Sequence, residues 1–132
     1  LAMTNLLENF VINHANQSFN INYPAISFAR GNLLGIIGVT FNMPSTDSLE
    51  INWQNNAGSI TERENDWLQV LFGVEDQSNT IFLENVAMRS SETYTAIIPP
   101  IENGNTVHVW LSFRSEDNSD VSTTFYAGSL TT

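Results

Sequence analysis

Thr106-Val107-His108-Val109-Trp110-Leu111-Ser112-Phe113-Arg114-Ser115 alternates without a break. Val107, Val109, Leu111 and Phe113 fall on one side of an extended chain, and His108, Trp110, Ser112 and Arg114 on the other. A period of two belongs to a strand with one buried face, because successive side chains of a pleated chain point in opposite directions. The same rhythm returns on the N-terminal side. Leu49, Ile51 and Trp53 form an inward row that ends at the turn Asn55-Asn56-Ala57-Gly58, and Tyr94, Ala96 and Ile98 form another, stopped by Pro99-Pro100. Residues 67–74, Trp-Leu-Gln-Val-Leu-Phe-Gly-Val, are apolar on both faces and read as a central strand. Short strands are expected at 37–42 and 80–84, and a hairpin over 106–127 that turns at Glu116-Asp117-Asn118-Ser119-Asp120. Seven or eight such strands with polar turns between them predict an all-β fold, a two-layer antiparallel β-sandwich.

Residues 1–16 have a different rhythm. Met3, Leu6, Leu7, Phe10, Val11 and His14 recur at three- and four-residue spacing, which predicts an amphipathic helix packed on a single sandwich domain of residues 17–132. Between the two, Phe19, Ile21 and Tyr23 alternate up to Pro24, and Ile26 and Phe28 resume beyond it. A proline cannot donate to a ladder, so this stretch is expected at a sheet edge, where a neighbour could add a strand. Arg30-Gly31-Asn32 then turns the chain.

The 132 residues include four Arg, no Lys and fourteen acidic residues, for a formal charge of −10 and a pI near 4.2. Such a chain repels phosphate backbones and anionic bilayers, so neither nucleic-acid binding nor membrane docking is expected. Zero cysteines exclude thiol nucleophiles, disulfides and thiolate metal sites. The absence of lysine excludes Schiff-base and P-loop chemistry. No run of eighteen apolar residues occurs. The start, Leu-Ala-Met-Thr-Asn, is not an intact signal peptide, and a chain beginning there is expected to be a processed or partial product of a longer one.

Trp53 in its row, the apolar central strand and the long final hairpin resemble a fibronectin type III or immunoglobulin-like module, although Thr106 and Val107 stand where that fold usually has its strand-F tyrosine. The order of motifs is similar to a family of small Bacteroidota proteins known as a domain of unknown function. Its Tyr-(Pro)-x-Ile/Val…Arg-Gly-x-Leu segment matches residues 23–33, from Tyr23-Pro24 to Arg30-Gly31-Asn32-Leu33. Its Trp-x-Asp/Asn-Asn-x-Gly turn matches Trp53-Gln54-Asn55-Asn56-Ala57-Gly58, and its Arg-Ser stretch matches Val86-Ala87-Met88-Arg89-Ser90. Phe113, Ser115, Asp117, Tyr126, Gly128 and Leu130 match its ending in order. The resemblance implies a lineage and a fold without an activity, and an additional N-terminal region rich in glycine and basic residues.

Catalytic groups are sparse. His14 and His108 are the only histidines, no nucleophile-elbow motif is present, and the acids Glu62, Glu64 and Asp66 read as a solvated loop. Glu116, Asn118 and Asp120 alternate like the start of a calcium loop, but Val121 follows where glycine should stand, so a polar turn accounts for them. No catalytic residue, metal or cofactor is therefore assigned. Trp110, Trp67 and Tyr126, with His108, make up the candidate binding face. Three accounts of it compete: cover by the helix at 1–16, contact with a protein, and stacking of sugar rings. The expected role is a non-enzymatic structural or interaction module that assembles with copies of itself or with a protein partner, in a cell-surface, extracellular or virion-like setting. A carbohydrate-binding module is the alternative.

Overall fold

The computed structural model describes residues 22–77 and 80–132. The helix expected at 1–16, with its His14, lies outside them, as does the stretch from Phe19 to Ile21. Seven strands are described: β1 (Ile37–Ser45), β2 (Ser48–Gln54), β3 (Trp67–Val74), β4 (Thr80–Leu83), β5 (Thr93–Ile97), β6 (Thr106–Arg114) and β7 (Phe125–Thr131). They form a three-stranded sheet in the order β1-β2-β5 and a four-stranded sheet in the order β4-β3-β6-β7, with every pairing antiparallel. The apolar run at 67–74 is central, as its two-sided hydrophobicity requires, and pairs along its whole length with β6 from Trp67↔Arg114 to Val74↔Val107.

The inward rows meet between the layers. Leu68, Val70, Phe72 and Val74 of β3 and Val107, Val109, Leu111 and Phe113 of β6 pack with Leu49, Ile51 and Trp53 of β2 and with Ala96 and Ile98 at β5. Each large apolar side chain so buried contributes about 1.5–3 kcal/mol relative to exposure, which makes this row pattern the main source of stability.

Residues 23–28 depart from expectation. They form no edge strand. Tyr23–Ala25 is a 3-10 turn with Pro24 in its first positions, where a missing N–H costs nothing. The segment then crosses the outer face of the four-stranded sheet as a strap: Tyr23, Ile26 and Phe28 pack with Leu71, Phe82, Trp110 and Tyr126. Thr124 holds its far end. The Thr124 hydroxyl accepts from the N–H groups of Phe28 (2.9 Å) and Ala29 (2.8 Å), and the Thr124 N–H donates to the Ala29 carbonyl at 2.9 Å.

Beyond it, Leu33 N–H donates to the Val121 carbonyl at 3.1 Å and Asn32 bridges to Ser122. The backbones come so close here that a Cβ on Gly31 would stand 2.0 Å from the Val121 carbonyl oxygen. Gly31→Ala is therefore expected to destabilise by about 1–3 kcal/mol through overpacking. Denaturant unfolding measures this directly, and an unchanged midpoint would show that the strap is not seated against residue 121.

The polar turn is organised by Ser115 and Asp117 and not by the alternating Glu116, Asn118 and Asp120. The Ser115 hydroxyl donates to Asp117 Oδ1 at 2.8 Å and accepts from the N–H groups of Ser119 and Asp120, both at 3.0 Å. The Ser119 hydroxyl, the Ser115 hydroxyl and the Ser119 N–H together hold the Asp117 carboxyl down at about 2. Asn118 takes a left-handed conformation (φ 62°), which asparagine tolerates.

Candidate functional site

Alternation along β6 puts His108 and Trp110 on the outer face of the four-stranded sheet. Tyr126 reaches the same face through an irregularity in β7. The register runs regularly from Thr106↔Thr131 to Val109↔Gly128, then slips by one residue so that Trp110 pairs with Tyr126. Gly128, at φ 124°, occupies a conformation that side chains rarely adopt just before the slip. Without this bulge Ala127 would lie opposite Trp110.

The strap completes the cluster. The Tyr23 ring stacks on His108 with centroids 3.7 Å apart and planes 7° apart. His108 Nε2 lies 2.9 Å from Glu75 Oε1, and Nδ1 lies 2.7 Å from the Tyr126 hydroxyl. A carboxylate only accepts, so Nε2–H donates to Glu75, while Nδ1 is hydrogen-bonded to the Tyr126 hydroxyl. Trp110 Nε1–H donates to the Tyr23 carbonyl at 2.9 Å. Burial raises the Tyr23 hydroxyl above its ordinary pKa, with the Glu75 charge next in weight. Burial likewise raises Tyr126. Both phenols therefore stay protonated at neutral pH.

The four candidate residues are only partly brought together. His108, Trp110 and Tyr126 form one cluster with Tyr23, whose alternation had pointed to an edge strand, and with Glu75, which no sequence pattern singled out. Trp67 shares their sheet face but pairs with Arg114, four residues along β3 from Leu71, the partner of Trp110, or about 13 Å at strand rise. Trp110 is only 1% exposed, His108 5%, and Trp67 is half-buried. The flat exposed row that sugar stacking requires is thus covered at Trp110, by the strap and Tyr126. Both ring nitrogens of His108 are engaged. The cluster works as a lock between strap and sheet.

A second buried polar cluster was not anticipated from the sequence. Asp66, read as part of a solvated loop, is completely buried and so is Arg89. Arg89 Nη2 and Nε donate to Asp66 Oδ2 at 2.8 and 3.2 Å. The same guanidinium donates to the carbonyls of Leu34 (2.7 Å), Gly35 (3.1 Å) and Arg63 (3.0 Å) and to Asn56 Oδ1 (2.6 Å), and it lies 4.0 Å from the Phe113 ring centroid. Burial pushes the Asp66 carboxyl up and the Arg89 guanidinium down, while their mutual hydrogen bonds oppose both shifts. Trp53 Nε1–H caps the knot on the Arg89 carbonyl at 2.8 Å. The signal was in the motifs: Trp53 and Asn56 stand in one matched segment, Arg89 in a second and Phe113 in a third, and here they meet.

Among the described residues no group of three or more His, Asp or Glu side chains is placed to hold a metal ion, and no helix is long and apolar enough to cross a membrane.

Residues 1–128 match a family described as "Family of unknown function (DUF6266)". No curated protein sequence matches the chain. Among solved structures it is similar to the fn3 domain of human collagen alpha-1(XX) chain, with a TM-score of 0.54 and 12% identity over 85% of this chain and 89% of that one. The fn3 domain of human contactin 1 is also similar, with a TM-score of 0.46 and 10% identity over 84% and 88%. The first likeness establishes the fold as a fibronectin type III-like sandwich.

Proposed function

The chain belongs to the family of unknown function DUF6266, so its role must be argued from its own surface, and we propose a non-enzymatic module that joins copies of itself or a protein partner by strand addition at β5. A cell-surface, extracellular or virion-like assembly is the setting this reading implies.

The open edge of β5 carries the proposal. β5 pairs with β2 in continuous register from Ser48↔Ile97 to Asn52↔Thr93, and no strand pairs with its other side among the described residues. The register extends at both ends: Ile98 N–H donates to the Asp47 carbonyl (2.9 Å) and Trp53 N–H to the Glu92 carbonyl (3.0 Å). In an antiparallel ladder hydrogen-bonded pairs alternate, so Tyr94 and Ala96 bond β2, while Thr93, Thr95 and Ile97 turn their N–H and C=O groups to the open side. This edge has neither proline, charge nor bulge, the devices by which solitary domains discourage pairing. Ile97 is also 80% exposed, the most exposed large apolar side chain described.

About six edge hydrogen bonds at about 0.5–1.5 kcal/mol each, set against the cost of association, give a weak, concentration-dependent contact. Light scattering on the eluting protein up to millimolar concentration is expected to show mass rising above monomer. Thr95→Pro removes only an outward N–H, so it should return the chain to monomer with an unchanged unfolding midpoint. Hydrogen exchange at Thr93, Thr95 and Ile97 should slow on association. A monomer throughout would remove self-assembly, and exchange at these amides that stayed fast in every complex the chain forms would remove the β5 edge as the contact.

A further inference from the structure

Arginine is the chain's only strongly basic residue type, with four copies against fourteen acids. Three of the four have carboxylate partners: Arg63 and Arg89 with Asp66, and Arg114 with Glu84. Among the described residues Arg30 has none. Two of the four, Arg30 and Arg114, line the same cleft of about 410 Å³, between the end of the strap and the outer face of the four-stranded sheet. One wall is aromatic. Phe28 of the strap and Phe82 of β4 meet edge to face, with centroids 5.6 Å apart and planes 67° apart.

We propose that this cleft binds a carboxylate carried on a flat apolar body, with the body against Phe28 and Phe82 and the carboxylate between Arg30 and Arg114. The polar floor does not compete for recognition. The Ser112 hydroxyl already donates to the Ser122 carbonyl at 2.7 Å, and the Gln69 amide is bonded to the Trp67 carbonyl and to Asn85. Selectivity therefore rests on the aromatic wall and the guanidiniums. A guanidinium presents a planar fork of donors that matches a carboxylate, and such charge-assisted bonds are roughly twice as strong as neutral ones. Arg114 reaches Glu84 through a single contact of 3.1 Å and Glu84 is 54% exposed, which leaves Arg114 donors free and its partner able to swing aside. The remaining charge of Glu84 sets the valence: two cations beside one anion favour a monoanion over a phosphate dianion.

Two sources share this chemistry, a free aryl or alkyl acid and the terminal carboxylate of another protein whose last side chain is apolar. The site is independent of the β5 edge, which contributes no residue to it.

The test is an amide NMR titration of the full chain at concentrations where it is monomeric. The probes are phenylacetate, benzyl alcohol, phenyl phosphate, and acetyl-Gly-Phe as acid and as amide. Phenylacetate is expected to shift the amides of Phe28, Ala29, Phe82, Glu84 and Arg114, with benzyl alcohol at least about tenfold weaker. Arg30→Gln should weaken phenylacetate about tenfold and leave the unfolding midpoint unchanged, since Arg30 is exposed. If the acid peptide outbinds phenylacetate and its amide does not bind, the source is a chain terminus. The reverse order identifies a free acid. Equal binding of phenylacetate and benzyl alcohol, tighter binding of phenyl phosphate, or shifts centred elsewhere would overturn the proposal.

Discussion

Arg89→Met is expected to lower the unfolding free energy by about 3–5 kcal/mol, the cost of leaving one member of a buried ion pair behind. The methionine fills comparable space, so the loss is electrostatic. Asp66 is left with only Arg63 Nη1 at 3.6 Å facing it, and its Oδ1 already lacks a hydrogen bond. The carbonyls of Leu34, Gly35 and Arg63 lose their donor at the same time. Adding Asp66→Asn to Arg89→Met should recover part of the loss, because the uncompensated charge goes with it; the orphaned carbonyls keep the recovery incomplete. Equilibrium denaturation of the two single variants and the double variant measures the coupling. Strictly additive effects, or a loss below about 1 kcal/mol for Arg89→Met, would show that the knot is hydrated and not the anchor of the loops around it.

Trp110→Ala is expected to cost about 3–5 kcal/mol, the range for deleting a large buried aromatic. The wall left behind is Tyr23, Leu71 and Tyr126, and the Tyr23 carbonyl loses its indole donor. The strap should loosen before the sandwich does. Amide exchange at Phe28 and Ala29, whose N–H groups rest on the Thr124 hydroxyl, should quicken well beyond the change in global stability. A sugar platform makes the opposite forecast: an exposed tryptophan could be removed within about 0.5 kcal/mol, at the expense of carbohydrate binding alone. The stability measurement therefore separates the two roles of this residue without any ligand.

Much of the frame was legible in the chain. The run at 67–74 is β3 to the residue, and the rows of Leu49 and Tyr94 point inward as their alternation required. Residues 23–28 were not legible as a strap. The alternation that ends at Tyr23 and resumes at Ile26 and Phe28 imitates a strand, and only the face of β3 and β6 beneath them shows that the same side chains are needed as cover. Asp66 and Arg89 were hidden for a related reason. In sequence each is a single charged residue beside polar turn residues on one side, and each becomes buried only because the segments at 34–35, 56 and 63 converge on them.

The sequence by itself determined the layers: period-two hydrophobicity, a two-sided apolar run and turn residues are local, and the pleat converts them directly into a buried face. It also bounded the chemistry, through the absence of cysteine and lysine and through a charge of −10. Tertiary structure alone decided which polar and aromatic groups reach solvent. Trp110 lies beneath Tyr23, 87 residues away in sequence, and Arg89 bonds Leu34 across 55. Such contacts depend on where the chain returns after its turns. No local pattern records that path, because the rule that buries a face does not specify what will cover it.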